Sequence, residues 1–138
     1  MTAIRAGSEA DLEAVEAIQR VCPEAAHWKA ADYLSQDFRV AIVADRVAGF
    51  LVMRRIVPDE LEVLNLAVSP AYRRNGVGGA LLRAGLNGFT GSVYLEVRAS
   101  NAVAIKFYKL HKFQEVSRRS EYYENPRETA IVMKFHSC

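Results

Sequence analysis

The sequence has few of the features that mark secreted, membrane-spanning or metal-binding proteins. It contains only two cysteines, Cys22 and Cys138, far apart and without metal-ligand spacing, so we expect two reduced thiols. No apolar run approaches the ~20 residues of a transmembrane helix, and the first residues lack the apolar core of a signal peptide. These absences predict a cytoplasmic protein with no membrane segment and no metal site.

The chain also lacks a strong charge of either sign. Its net charge is only +2, whereas a nucleic-acid-binding domain is expected to be strongly basic, so we expect no direct nucleic-acid partner. We find no repeat, low-complexity segment or linker, and 138 residues suit one domain with a substantial core. Residues 1–138 are therefore predicted to form a single domain, as a monomer or weak dimer.

Hydrophobic periodicity predicts a mixture of strands and helices. The order β-α-α-β-β-β-α-β-α-β-β indicates an α/β (α+β) fold, with a mixed, mostly antiparallel sheet flanked by helices on both faces. A polar loop over residues 121–127 is expected between the last two strands. The predicted strands cover residues 2–5, 38–44, 47–56, 61–68, 92–98, 113–117 and 129–135, and the later helices cover 77–87 and 102–110.

The first helix and the connection after it have fewer distinctive features. Ser8 is a good helix N-cap, and Asp11 three positions later completes an approximate capping box. Residues 24–37 are predicted to be a loop followed by a short helix. Trp28 in this connection is expected to be a core residue, with a substrate contact as the alternative.

The most informative segment is residues 65–82, which run from a buried strand through an Arg-rich and Gly-rich loop into a helix. The first N–H groups of a helix have no partner within it, and the helix dipole favours negative charge there. Gly76, Gly78 and Gly79 remove side chains where a ligand would come close. Arg73 and Arg74 add positive charge, so the segment predicts a phosphate or pyrophosphate site.

Other readings of this glycine loop are less satisfactory. It is not a P-loop, because no Gly-Lys-Ser/Thr ends it. It is a poor dinucleotide fingerprint, because Leu81 stands where the third glycine belongs. The simplest alternative is that the glycines merely allow tight turns. A second characteristic segment, Leu-Glu-Val-Arg-Ala-Ser-Asn at residues 95–101, argues against that alternative.

Together these two segments resemble the GNAT family, the Gcn5-related N-acetyltransferases. Residues 73–78 fit the family's Gln/Arg-x-x-Gly-x-Gly/Ala acetyl-CoA motif, and the resemblance covers nearly the whole chain. Within the family the match is best to the RimI-like enzymes, which acetylate the N-terminal alanine of a ribosomal protein. The other matching segments are residues 65–70, 95–101, 104–108, 118–123 and 130–133.

The resemblance implies an acetyl-CoA site that needs no metal. Backbone N–H groups of the glycine loop would bind the pyrophosphate, and the strand before it would pair with the pantetheine arm. The side chain of Asn101 would contact the cofactor, although a plain helix cap is an equally natural role. The implied cofactor residues are Leu66, Ala67, Val68, Arg74, Asn75, Gly76, Val77, Gly78, Gly79 and Asn101.

The resemblance also assigns the chemistry, with Glu96 as general base and Tyr108 as general acid. Taken alone, a carboxylate in a strand of alternating apolar residues must meet a partner, water or a cleft, and a structural ion pair is the simpler reading of Glu96. Tyr108, taken alone, is a core aromatic with a satisfied hydroxyl. The implied reaction is direct acetyl transfer to an amine.

Two departures from the family pattern bear on stability or on the acceptor. Lys112 stands where the family usually has glycine, and Thr129 where RimI-like enzymes often have aspartate. Residues 22–37, which should help shape the acceptor site, are the least distinctive. The expected acceptor is a protein N-terminus, namely the N-terminal alanine of a ribosomal protein. The alternatives are a small amine or lysine side chain, or a non-catalytic acyl-CoA-binding module.

Overall fold

A computed structural model describes residues 1–22, 28–123 and 127–137. Its strands are β1 (Thr2–Ala6), β2 (Asp37–Val43), β3 (Arg46–Val57), β4 (Glu60–Val68), β5 (Gly91–Arg98), β6 (Gln114–Tyr123) and β7 (Glu128–Ser137). Its helices are α1 (Leu12–Arg20), α2 (Val77–Leu86) and α3 (Ala102–Leu110), with short 3-10 turns at Glu9–Asp11, Ala30–Ser35 and Pro70–Tyr72. Over the described ranges, no helix combines the length and apolar character needed to cross a membrane.

The strands follow the predicted order and form a mixed sheet. Their hydrogen-bonded order is β1-β2-β3-β4-β5-β7-β6. The β4–β5 pair is parallel, whereas β1–β2, β2–β3, β5–β7 and β6–β7 are antiparallel. The chain groups into two compact units, unit 1 (Met1–Arg54 and Leu64–Gly88) and unit 2 (Arg55–Val63 and Phe89–Cys138).

The core of unit 1 lies on both faces of β3. Phe50 and Val52 face a cluster that includes Val15 and Ile18 of α1 and Tyr33 of the 3-10 turn, all buried. Side chains alternate along a strand, so the intervening residues face the other way. Burial of side chains of this size contributes about 1.5–3 kcal/mol each, which explains how one amphipathic helix is held on the sheet.

The opposite face of β3 receives α2. A Cβ atom built on Gly85 would lie only 2.6 Å from Leu51 Cδ2 and 2.8 Å from Met53 Cε. The helix therefore approaches the strand closely where glycine leaves room. Arg39 of β2 secures the same helix by donating a 2.7 Å hydrogen bond to the carbonyl of Ala84. Helices thus cover both faces of the sheet within unit 1.

A buried polar network connects α1, the 3-10 turn and β4. The hydroxyl of Tyr33 donates to Gln19 Oε1, and Asn65 Nδ2 donates to the Tyr33 oxygen at 3.1 Å. Gln19 Nε2 donates to the backbone carbonyl of Trp28 at 3.1 Å. Trp28 itself is 47% exposed, so its predicted place in the core is wrong. Its main chain is anchored to the core, and its ring is not.

In unit 2, β5 begins at a tightly constrained glycine. Gly91 has φ 141°, and a Cβ atom there would lie 2.1 Å from the carbonyl oxygen of Asp59. That same oxygen accepts a 2.9 Å hydrogen bond from Ser92 N. Along the strand, buried residues alternate with half-buried ones, as predicted. The buried set is Val93, Leu95 and Val97, and the half-buried set is Ser92, Tyr94, Glu96 and Arg98.

Helix α3 ends in a left-handed cap whose central residue is not glycine. Lys112 has φ 72°, which costs about 1–2 kcal/mol for a residue with a side chain. Phe113 N donates to the Tyr108 carbonyl and Lys112 N donates to the Lys109 carbonyl, both at 3.0 Å. These two bonds define a Schellman motif. The rings of Tyr108 and Phe113 also contact each other edge to face, with centroids 5.4 Å apart.

Strand β6 is longer than predicted. The sequence indicated a strand over 113–117 and a loop from 121, whereas the strand continues to Tyr123. Residues 124–126 of the predicted loop lie outside the described residues. The strand is at the sheet edge and is exposed along nearly its whole length, so no apolar alternation marked it. Residues 120–122 lie opposite Thr129 alone, and Glu121 has φ 53°, which makes a bulge.

Candidate functional site

The glycine loop of unit 1 has the backbone geometry expected of a tight turn into a helix. After β4, Ser69 N donates to the Ala48 carbonyl at 2.8 Å, and the 3-10 turn follows. Arg74 and Gly76 both adopt left-handed conformations, with φ 67° and 74°. Gly76 is the N-cap of α2. A left-handed N-cap is natural for glycine and explains why this residue type stands there.

The start of α2 presents N–H groups in the manner that the sequence predicted. Ala80 N donates to the Gly76 carbonyl at 3.0 Å, the first bond of the helical series. The N–H groups of Val77, Gly78 and Gly79 precede it and have no acceptor within the helix. Arg74 and Asn75 are exposed beside them. The arrangement fits a pyrophosphate, which such N–H groups and the helix dipole attract.

The side chain of Arg73 forms hydrogen bonds with the end of β4 and with Cys22, which follows α1 in the chain. Its Nε donates to the Val68 carbonyl at 3.3 Å, and its Nη2 lies 3.3 Å from Cys22 Sγ. Cys22 is a buried thiol, as expected, and Cys138 lies outside the described residues. Arg73 therefore helps fix the strand end from which the loop departs.

The end of β4 carries the three residues predicted to bind the pantetheine arm. Ala67 is buried in the core, while Leu66 and Val68 are half-buried. A Cβ atom on Gly49 would lie 2.8 Å from the Ala67 carbonyl oxygen, so glycine there permits close approach of the backbones. Gly49 was missed in the sequence, although a glycine inside a strand is a signal of such an approach. The β4–β5 pairs run from Glu60 to Val63, before this segment.

Asn101 is a helix cap. Its Oδ1 accepts a 3.1 Å hydrogen bond from Ala104 N at the start of α3. This confirms the local role predicted from sequence and orients the amide. A cofactor contact through the remaining amide hydrogens is compatible with the cap and stays a prediction.

Glu96 lies in unit 2 on the half-buried face of β5, with 22% of its side chain exposed. Its Oε1 is 2.9 Å from Nη1 of Arg119, so the expected ion pair is present. Tyr122 lies near the same carboxylate and interacts with it electrostatically. The carboxylate thus has two defined partners and retains access to solvent, which a base acting on an incoming amine requires.

Two tyrosines at the end of β6 were not among the predicted site residues. The negative charge of Glu96, with burial, raises the pKa of Tyr122. Burial, with the charge of Glu96, raises the pKa of Tyr123 to about 12. Arg98 Cζ lies 4.5 Å from the centre of the Tyr123 ring. Only the matching Arg-Arg-Ser-Glu-Tyr-Tyr segment pointed to this region.

Tyr108 is 7% exposed and lies on α3 in the same unit as Glu96. Burial, with a smaller contribution from Tyr123, raises the pKa of its hydroxyl well above the usual value. The hydroxyl is therefore protonated at neutral pH, as a proton donor must be. Tyr123 interacts electrostatically with both Glu96 and Tyr108, and all three residues lie in unit 2.

The raised tyrosine pKa values predict alkaline instability. A raised folded-state pKa contributes stability that is fully present below the unfolded value of about 10 and is lost as pH rises through the folded value. For Tyr123 that range extends to about pH 12. We expect the free energy of unfolding, measured by urea denaturation, to fall above about pH 10, and to fall less in Tyr108→Phe. Identical alkaline slopes in the two proteins would contradict the contribution of Tyr108.

Metal coordination finds no support among residues 1–22, 28–123 and 127–137. No group of three or more His, Cys, Asp or Glu side chains there is placed to hold a metal ion.

The chain belongs to the GNAT acetyltransferase family: the family model described as "Acetyltransferase (GNAT) family" matches residues 9–113. A curated relative, the ribosomal protein bS18-alanine N-acetyltransferase of Escherichia coli K12, is 39% identical over 94 residues. The aligned part is 64% of this chain and 63% of that relative, so it spans less than two thirds of the relative's length.

Two crystal structures are similar over almost their full length. Ard1 from Thermoplasma volcanium has a TM-score of 0.91 and 32% identity, with 99% of this chain and 98% of that chain covered. The ribosomal-protein-S18-alanine N-acetyltransferase from Escherichia coli has a TM-score of 0.83 and 31% identity, covering 100% and 96%. These likenesses confirm the predicted GNAT fold and the resemblance to ribosomal-protein-alanine N-acetyltransferases.

Proposed function

We propose that this protein is an acetyl-CoA-dependent N-acetyltransferase that acts on protein N-termini. The observation that carries the proposal is the glycine loop at the start of α2, whose leading N–H groups and exposed Arg74 suit the pyrophosphate of CoA. Membership of the GNAT family supports acetyl-CoA as the acetyl donor. Leu66–Val68 and Asn101 are the further cofactor contacts that we propose.

The finer proposal is that the acceptor is the N-terminal alanine of a ribosomal protein. It is supported by the Escherichia coli relative and by the solved structure that bears the same activity in its name. A peptide N-terminus is also chemically suitable. An α-amino group has a pKa near ~8 and lysine near ~10.4, so at pH 7.5 roughly a quarter of the first but only about 0.1% of the second is neutral. A single carboxylate base suits the first amine better.

In the proposed reaction the neutral amine attacks the thioester carbonyl of acetyl-CoA, forming a C–N bond as the C–S bond breaks. Glu96 accepts the proton that the amine nitrogen loses, directly or through water. Tyr108 gives its hydroxyl proton to the departing thiolate. The raised pKa of Tyr108 keeps that proton in place beforehand, and the ion pair with Arg119 orients the carboxylate of Glu96.

The test is an acetylation assay with three matched peptides, read by mass spectrometry. One begins with a free alanine, one has the same sequence with a blocked N-terminus, and one is blocked but carries an internal lysine. We expect one acetyl group on the first peptide and none on the other two, because only the α-amine is both neutral and available.

Other outcomes separate the alternatives. Acetylation of the blocked lysine peptide, or of a polyamine in place of any peptide, would assign the protein to the lysine or small-amine acetyltransferases. Tight binding of acetyl-CoA without transfer to any of these acceptors would favour a non-catalytic acyl-CoA-binding module.

A further inference from the structure

Three side chains of unit 2, two of them on the edge strand β6, interact around one carboxylate. Arg119 Nη1 is 2.9 Å from Glu96 Oε1, and Tyr122 interacts electrostatically with the same carboxylate. The guanidinium of Arg119 also stacks on the Tyr122 ring, with Cζ 4.1 Å from the ring centre. Arg119 therefore contacts both other members, and Tyr122 interacts electrostatically with Glu96. We call Glu96, Arg119 and Tyr122 the carboxylate triad.

The triad depends on the bulge in β6. In a regular strand, residues three apart have side chains on opposite faces. Between Arg119 and Tyr123 the register with β7 shifts, and Glu121 is left-handed. The extra residues bring Arg119 and Tyr122 to the same carboxylate in spite of their odd spacing. A left-handed non-glycine residue is retained here although it is unfavourable.

Arg118, the neighbour of Arg119 on β6, shows that an arginine on this strand does not pair with Glu96 merely because it is positively charged. Arg118 has the same charge and lies on the same strand, but it pairs with Glu115 at 2.6 Å. Both arginines are more than half exposed, at 60% for Arg118 and 53% for Arg119. Exposed ion pairs alone hold a side chain weakly. Arg119 differs because its planar group also stacks on an aromatic ring.

We propose that Arg119 is a positioning residue, which with Tyr122 holds the carboxylate of Glu96 in the orientation needed to accept the amine proton. The proposal rests on the proposed function, in which Glu96 is the base. A glutamate side chain has three rotatable bonds, and an unrestrained carboxylate samples several orientations. Small misplacement of a reacting group costs up to about a hundredfold in rate. The triad supplies the restraint.

The test measures steady-state kinetics with an N-terminal alanine peptide and acetyl-CoA. We expect Arg119→Gln to lower kcat about 10- to 100-fold with the KM for acetyl-CoA nearly unchanged. The matched control Arg118→Gln removes the same charge from the same strand and should keep parental kinetics. Arg119→Lys retains the charge but not the planar stack, so it should recover only part of the loss.

A double-mutant cycle tests whether Arg119 acts through Glu96. In a Glu96→Gln background, Arg119→Gln should cause little further loss, because the group it positions no longer accepts a proton. A further loss of tenfold or more, or equal kcat for Arg119→Gln and Arg118→Gln, overturns the positioning role while leaving Glu96 as the base. Full activity of the Glu96→Gln protein overturns both this proposal and the proposed mechanism.

Discussion

The Glu96→Gln protein is expected to lose about 10²- to 10⁴-fold in kcat, the usual contribution of a general base. Glutamine has nearly the same shape and still accepts a hydrogen bond from Arg119, so the surroundings should be preserved. It does not accept a proton at neutral pH. Affinity for acetyl-CoA, measured by calorimetry, should be unchanged, because Glu96 is not among the proposed cofactor residues.

The matched control for that experiment is Glu115→Gln. Glu115 is also on a strand of unit 2 and also pairs with an arginine, Arg118, at 2.6 Å. The Glu115→Gln substitution removes one negative charge, as Glu96→Gln does, but it removes no predicted catalytic group. Turnover should therefore equal that of the parent protein. If both variants lost activity alike, the effect of Glu96→Gln would be one of net charge. Parental turnover in Glu96→Gln would remove this residue from the mechanism.

Gly91→Ala is expected to be the more damaging of two single-methyl substitutions, with a loss of at least about 3 kcal/mol in the free energy of unfolding. The φ of 141° is nearly restricted to glycine, and the new methyl group would lie 2.1 Å from the Asp59 carbonyl oxygen. A carbonyl in the backbone does not move aside as a flexible side chain does. Because Ser92 N donates to that same oxygen, the start of β5 would be displaced.

Gly88→Ala separates the effect of the clash from that of the backbone conformation. Gly88 has φ 77°, but a Cβ atom there would meet no atom within 4 Å among the described residues. We expect a loss of only about 1–2 kcal/mol, the cost of left-handed backbone. Urea unfolding of both variants checks the difference. Equal losses would show that the contact with Asp59 relaxes without cost.

Local signals in the sequence were sufficient for much of the fold. Helix α3 was predicted with the correct bounds, because Asn101 caps one end and the apolar pattern stops before Lys112. The alternation in β5 placed Glu96 correctly on the half-buried face. Lys112, which stands where the family usually has glycine, adopts the left-handed conformation that glycine tolerates best. Each of these features is determined by neighbours within a few residues.

The errors have a different physical origin. Strand β6 was predicted too short because an exposed edge strand buries neither face and so carries no hydrophobic period. Trp28 was placed in the core because large aromatic residues are usually buried, whereas here Gln19 anchors its main chain and leaves the ring exposed. Tertiary contacts therefore determine both the length of β6 and the exposure of the Trp28 ring.

The candidate site shows the same contrast between features that neighbouring residues determine and features that contacts distant in sequence determine. Residues Val77–Gly79 were identified from the glycine pattern, which is a local property of a helix start. Arg119, Tyr122 and Gly49 were not identified, because their significance depends on partners distant in sequence. Family resemblance singled out Glu96 and Tyr108, and the structure adds the partners that surround them.

Because of the bulge in β6, the number of residues between Arg119 and Tyr123 matters as much for the position of these side chains as which residues they are. Residues 120–122 face one residue of β7, so the number of residues between Arg119 and Tyr123 determines which side chains reach Glu96. Insertion or deletion of a single residue there would exchange the two faces of the strand for every residue beyond it. An alignment that tolerates a one-residue gap in this hairpin would therefore compare side chains that lie on opposite sides of the sheet.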